Sequence, residues 1–94
     1  MWHKNDLALQ DFTTAIKLQP QDLGLLKARA QCYIGLNRYK DALNDYNEAL
    51  RKRPNDPVIR GLRADVYDKL GEKDLAKKDR EISNNKGFQE LQLP

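Results

Sequence analysis

Residues 25–54 read LLKARAQCYIGLNRYKDALNDYNEALRKRP, and the pattern within them decides the fold. Leu26, Ala30, Tyr33 and Ile34 recur at spacings of three and four, with the small residues Ala28 and Cys32 between them. That period puts them on one face of a helix. Tyr39, Ala42, Leu43, Tyr46, Ala49 and Leu50 make a second stripe with the same period. Leu36–Asn37–Arg38 lies between the stripes. Asn is the commonest stand-in for glycine in the left-handed turn that ends a helix. Arg51–Lys52–Arg53 sets positive charge against the dipole at the second helix's C-terminus, and Pro54 stops it. The stretch therefore reads as two amphipathic helices joined by a short turn.

The flanks repeat the pattern. Upstream, Leu7, Ala8, Leu9, Phe12, Ala15, Ile16 and Leu18 predict an amphipathic helix over about residues 5–18, ended by Pro20. Asp22 is placed to cap the helix that follows. Downstream, Pro57 suits a first helical turn. Ile59, Leu62, Ala64, Val66, Tyr67 and Leu70 form its stripe, and Gly71 is the turn. A last helix is predicted from Lys73 to Ser83 with Leu75, Ala76 and Ile82 apolar. The run Lys77, Lys78, Asp79, Arg80, Glu81 makes it more polar than the others. Asn84–Asn85–Lys86–Gly87 is expected to break it, leaving Phe88, Leu91 and Leu93 at a spacing suited to a final turn that folds back.

These pieces share one offset. Pro20 and Pro54 stand 34 residues apart, as do Ala8 and Ala42, Ala42 and Ala76, Phe12 and Tyr46, and Ala15 and Ala49. Ala30 and Ala64, Tyr33 and Tyr67, Leu36 and Leu70, and Asn37 and Gly71 keep the same interval. A 34-residue period of helix–turn–helix units resembles the tetratricopeptide repeat. In that resemblance Ala30 and Ala64 match the family's small first-helix residue, and Tyr33 and Tyr67 the aromatic after it. Asn37 and Gly71 match its turn, and Ala8, Ala42 and Ala76 its second-helix alanine. Phe12 and Tyr46, Ala15 and Ala49, and Pro20 and Pro54 match the remaining signature places. The implied fold is all-α: a right-handed α-solenoid of about two and a half repeats. Residues 1–20 would be the second helix of a partial repeat, 23–56 a complete repeat, 57–84 a repeat with a polar capping helix, and 85–94 a tail. The physical basis is stacking: alanine sits where backbones approach, and each unit leaves an apolar face for its neighbour.

Composition narrows the function. Ninety-four residues make one small domain, 39% hydrophobic and 33% charged. Seventeen basic and 14 acidic residues are interspersed, for a net charge of +3. Without a basic stripe interleaved with aromatics, nucleic acid is not the expected partner. No run of about 18 apolar residues exists to span a membrane, and the N-terminus lacks the build of a signal peptide. A single cysteine, Cys32, points to a reducing compartment, read as cytoplasmic. His3 is the only histidine. Asp65 with Asp68, and Asp41 with Asp45, share helix faces but read as ordinary solvated acids. No catalytic residue, metal set or cofactor motif is predicted.

The resemblance implies a protein-interaction scaffold whose first helices line a concave groove, where extended or helical peptides of a partner protein lie. It places Lys27, Gln31 and Ile34 on that face in one unit, and Val58, Leu62, Asp65 and Lys69 in the next. Some relatives grip acidic chaperone tails with an Asn, Lys and Arg set. Ala28, Val58 and Leu62 stand at those places here, so a chaperone-tail role is not expected. Two alternatives follow from the chain itself. The stripe containing Leu9, Phe12 and Ile16 lacks a first helix before it, so it could be covered by a preceding helix of a longer protein or by the tail around Phe88 and Leu91, or it could serve self-association as a homodimer or swapped dimer. The region could also be a docking fragment of a larger enzyme or sensor.

Overall fold

The computed structural model describes the backbone of residues 2–92 and the side chains of residues 6–84. Helices α1 (Trp2–Leu18), α2 (Leu23–Gly35), α3 (Tyr39–Lys52), α4 (Pro57–Lys69) and α5 (Lys73–Gln92) follow one another in antiparallel hairpins. Each packs principally on the helices beside it in sequence. The molecule is accordingly elongated, 50 × 30 × 20 Å, with a radius of gyration of 14.5 Å. A compact domain of this length would have about 12 Å. This is the geometry of an α-solenoid, in which contacts run between neighbours along one axis.

The boundaries are written in local chemistry. Asp22 accepts the Leu25 amide at 3.2 Å, and Asp56 accepts those of Val58 and Ile59 at 2.9 and 3.1 Å. Both satisfy amides that a helix N-terminus leaves unpaired. At the other end of α2, Asn37 has φ 61°, and at the same place after α4 Gly71 has φ 80°. The two turns share one hydrogen-bond pattern. Arg38 N donates to Tyr33 O at 2.8 Å and Asn37 N to Ile34 O at 2.9 Å. Glu72 N donates to Tyr67 O at 2.8 Å and Gly71 N to Asp68 O at 3.1 Å. This is the Schellman closure, and it turns each helix pair back on itself within three residues.

The core follows the repeat. Ala30, Ala42, Ala49 and Ala64 are fully buried, and Ala76 nearly so. At these points a larger side chain would hold the helix axes apart. Tyr46, Ile59 and Val66 are the largest side chains wholly enclosed, with Leu26 and Leu50 completing the cluster. Every one lies on a stripe visible in the sequence.

One boundary differs from expectation. Helix α5 continues through Asn84–Gly87 to Gln92 instead of ending near Ser83. Asn and Gly weaken a helix by about 0.7–1 kcal/mol each relative to Ala, but they keep their backbone donors. No proline, which would remove one, occurs between Pro57 and Pro94. The side chains of His3, Phe88 and Leu91, and all of Leu93, lie outside the described residues.

Candidate functional site

Among the residues expected to line the groove, the fold brings Val58, Leu62 and Asp65 together. They share an open concavity of about 480 Å³ with Pro57 and Gly61 of α4 and with Arg80, Ser83 and Asn84 of α5. Val58 is 59% exposed, while Leu62 is half-buried against the core. The floor is apolar and the rim polar. Ser83 Oγ donates to Pro57 O at 2.8 Å, fixing α5 beside the start of α4.

Charge at the rim is already partnered. Arg80 Nη2 donates to Asp65 Oδ1 at 2.8 Å and to Asp68 Oδ2 at 2.6 Å. These two aspartates are therefore an arginine-binding pair and not simply solvated acids. Arg80 stands 34 residues after Tyr46, and Asp65 34 residues after Gln31. In the earlier unit those places are joined by Gln31 Nε2 donating to the Tyr46 hydroxyl at 2.9 Å. An aromatic contact in one unit is thus replaced by an ion pair in the next. Hydrogen bonding to Arg80 holds the Asp68 carboxyl below the usual range and raises the arginine in turn. Burial pushes the Tyr46 hydroxyl up, against the lowering effect of the Gln31 hydrogen bond.

Other groove candidates lie apart from this concavity. Lys27 lines a separate one of about 490 Å³ with Gln21, Asp22, Lys52, Arg53 and Asp56. Ile34 packs against the core, and Lys69 is exposed near the end of α4. Of the first-helix stripe, Leu9 and Phe12 are half-buried and Ile16 packs against the core cluster. Leu7 and Leu18 are 61% and 78% exposed.

The feature that sequence reading missed is a pair of buried ion pairs. Asp45, expected to be a solvated acid, is 3% exposed. It accepts from Arg29 Nε at 2.9 Å and from Nη2 at 2.7 Å. Asp79, in the run read as a polar face, is 2% exposed. It accepts from Arg63 Nε at 2.7 Å and Nη2 at 2.8 Å, and from Arg60 Nη1 at 3.0 Å. Arg29 and Arg63 also reach back to the preceding unit. Arg29 Nη1 donates to Thr13 Oγ1 at 3.4 Å, and Arg63 Nη1 to Asn47 Oδ1 at 2.8 Å. Each guanidinium further lies over the tyrosine four residues on, 5.7 Å from the Tyr33 ring centroid and 5.5 Å from Tyr67. Arg29 with Arg63, Asp45 with Asp79, and Thr13 with Asn47 all keep the 34-residue offset. The signal was in the sequence, carried by charged residues.

Cys32 is half-buried, and desolvation raises its thiol pKa, which suppresses the reactive thiolate. Among the described residues no group of three His, Cys, Asp or Glu side chains is placed to hold a metal ion, and no helix is long and apolar enough to cross a membrane.

Stacked helical hairpins, equivalent turns and a 34-residue register define a helical-repeat solenoid. Residues 3–66 match the family described as Tetratricopeptide repeat, and the chain belongs to it. Over 52 residues it is 40% identical to "Outer dynein arm-docking complex subunit 4" of Mus musculus, covering 55% of this chain and 8% of that protein. Over 56 residues it is 36% identical to "DnaJ homolog subfamily C member 3 homolog" of Dictyostelium discoideum, covering 60% and 11%. The chain thus spans about a tenth of the length of these relatives. Among solved structures, MamA from MSR-1 superposes with a TM-score of 0.84 at 21% identity, over 93% of this chain and 50% of that one. A second MamA crystal structure gives 0.85 at 16% identity, over 96% and 53%. These two share the fold.

Proposed function

We propose that the chain is a non-enzymatic protein–protein interaction scaffold, with the concave surface of α4 and α5 as its peptide-binding groove. The observation that carries this reading is the convergence of exposed Val58 and half-buried Leu62 on one open concavity edged by the Asp65–Arg80 pair. An apolar floor accepts the side chains of an extended or helical peptide. The rim offers both signs of charge, so the fitting ligand is an amphipathic segment and not a uniformly acidic tail. Membership of the tetratricopeptide repeat family supports the same reading.

The test is a peptide-display selection against the folded chain, with selected peptides measured by fluorescence polarisation. Val58→Glu and Leu62→Glu place charge on the floor and should each weaken binding by about tenfold or more. Peptides that bind both variants as tightly as the parent chain would overturn the assignment of this groove.

A further inference from the structure

The two units differ again around the Tyr33 and Tyr67 rings. Arg38 lies over Tyr33, 4.9 Å from the ring centroid, and its Nε donates to Asp41 Oδ2 at 2.9 Å. Arg29 is the second guanidinium on that ring. One unit on, the places of Tyr33, Arg38 and Asp41 are held by Tyr67, Glu72 and Leu75. The aromatic is kept, but a carboxylate stands for the guanidinium and a leucine for that guanidinium's partner. Among the described residues Tyr67 has Arg63 alone over it, at 5.5 Å. The result is an open concavity of about 530 Å³ between α3, α4 and α5, where Leu43, Leu70 and Leu75 surround Tyr67 and Lys40 and Glu72 bring charge. Leu75 is 43% exposed. The opening does not come from where the sequence begins or ends. Arg38 and Asp41 stay 52% and 46% exposed at the side chain although the following unit is stacked on theirs. Their counterparts Glu72 and Leu75 therefore stay open whether or not a unit follows α5, and a unit before α1 would contact only its own neighbour.

We propose that this concavity seats an arginine side chain of a partner protein, its guanidinium over Tyr67 and paired with Glu72, and an apolar neighbour of that arginine on Leu70 and Leu75. The occupant is what the chain supplies to itself one unit earlier with Arg38. Asp41 also lines the concavity but is already held by Arg38, which leaves one charge of each sign, Lys40 and Glu72, without an ion-pair partner among the described residues. The ring decides between them, because an aromatic face attracts a cation and not a carboxylate. A second copy of this chain is a poor source. Among the described residues every arginine except Arg53 is already ion-paired. The place is apart from the α4–α5 groove, and its occupation does not depend on that groove binding anything.

The probe is the blocked tripeptide leucyl-arginyl-leucine amide, titrated into the intact chain and followed by amide-resolved NMR. The glutaminyl and glutamyl analogues are controls. Saturable shifts are expected at Leu43, Tyr67, Leu70, Glu72 and Leu75. The glutaminyl analogue loses both the ring contact and the ion pair, so it should bind about tenfold more weakly. Glu72→Gln should weaken the arginyl peptide about threefold, and Lys40→Ala should not weaken it. Glu72→Arg combined with Leu75→Asp rebuilds the Arg38–Asp41 arrangement over Tyr67 and should abolish the shifts. Both replaced side chains are exposed, so the fold is kept, checked by circular dichroism. Absence of saturable shifts at these residues overturns the proposal, as does equal binding of the three peptides. Loss of binding in Lys40→Ala but not in Glu72→Gln would assign the place to an acidic ligand and overturn it. Shifts of the same residues on concentrating the chain alone would assign it to a second copy, with the same result.

Discussion

Replacing Arg29 by alanine puts the buried ion pairs to a quantitative test. Asp45 is 3% exposed, and Arg29, itself 19% exposed at the side chain, is its ion-pair partner among the described residues. Removing one member of a buried pair leaves an uncompensated charge, at a cost of about 3–5 kcal/mol. Water entering the space left by the partly exposed arginine places the expected loss near the lower figure, about 3 kcal/mol. Arg60→Ala is the internal control. Asp79 then keeps both hydrogen bonds from Arg63, so the loss is chiefly that of one charge-assisted bond to Asp79, about 1.5 kcal/mol, the second bond from Arg60 Nε to Pro54 O at 2.9 Å being solvent-exposed. In urea, with a slope of about 1 kcal/mol per molar for a chain of this size, the midpoints should fall by about 3 M and about 1.5 M. The double variant Arg29→Ala, Asp45→Ala removes the stranded charge with its partner, so it should be more stable than Arg29→Ala alone. The coupling should be roughly 2 kcal/mol. Equal losses for Arg29→Ala and Arg60→Ala, or strictly additive single costs in the double variant, would refute the reasoning.

Two further outcomes follow from backbone and charge. Gly71→Ala should cost about 1–2 kcal/mol, because φ is 80° while an added Cβ meets nothing within 4 Å, so the penalty is purely conformational. Gly61→Ala, in a helix interior where an added Cβ would lie 3.7 Å from Ser83 Oγ, should instead stabilise by about 0.8–1 kcal/mol; urea midpoints of both variants report the opposite signs. The Asp68 carboxyl, depressed by Arg80, should titrate by NMR below an ordinary aspartate, and Arg80→Ala should return it upward. Its folded pKa lies below the unfolded one, so its contribution to stability is present above the unfolded value and is lost as pH falls through the folded value. An Asp68 titration unmoved by Arg80→Ala would contradict that pairing.

Most of the fold was legible because it rests on residue size and backbone freedom. Alanines at 34-residue intervals mark where helices touch, and Asn37 and Gly71 mark where the chain turns left-handed. The buried aspartates were not read, for a definite reason. An Asp on a helix is ordinarily solvated, and sequence alone does not show that Arg29 folds back over Asp45 across a hairpin 16 residues long. Yet Asp11, Asp45 and Asp79 fell on the same interval as the alanines, so applying one offset to charged residues would have exposed the pattern. The residues expected to line a groove fall into separate places. Val58, Leu62 and Asp65 converge because they share one helix, whereas the position of Lys27 depends on how α2 and α4 stagger. The extension of α5 past Ser83 was hidden because Asn and Gly permit a break without requiring one.

Thr13, Arg29 and Asp45 tie α1, α2 and α3 together, while Asn47, Arg63 and Asp79 tie α3, α4 and α5. Both ties anchor on α3, at positions two residues apart that point in different directions. The solenoid is therefore braced like a truss whose diagonals meet at one member. Side-chain cross-bracing joins the turns in fixing how successive helices sit on the middle one. Bending that separates the units must stretch the hydrogen bonds of these two guanidiniums as well as the apolar contacts between helices.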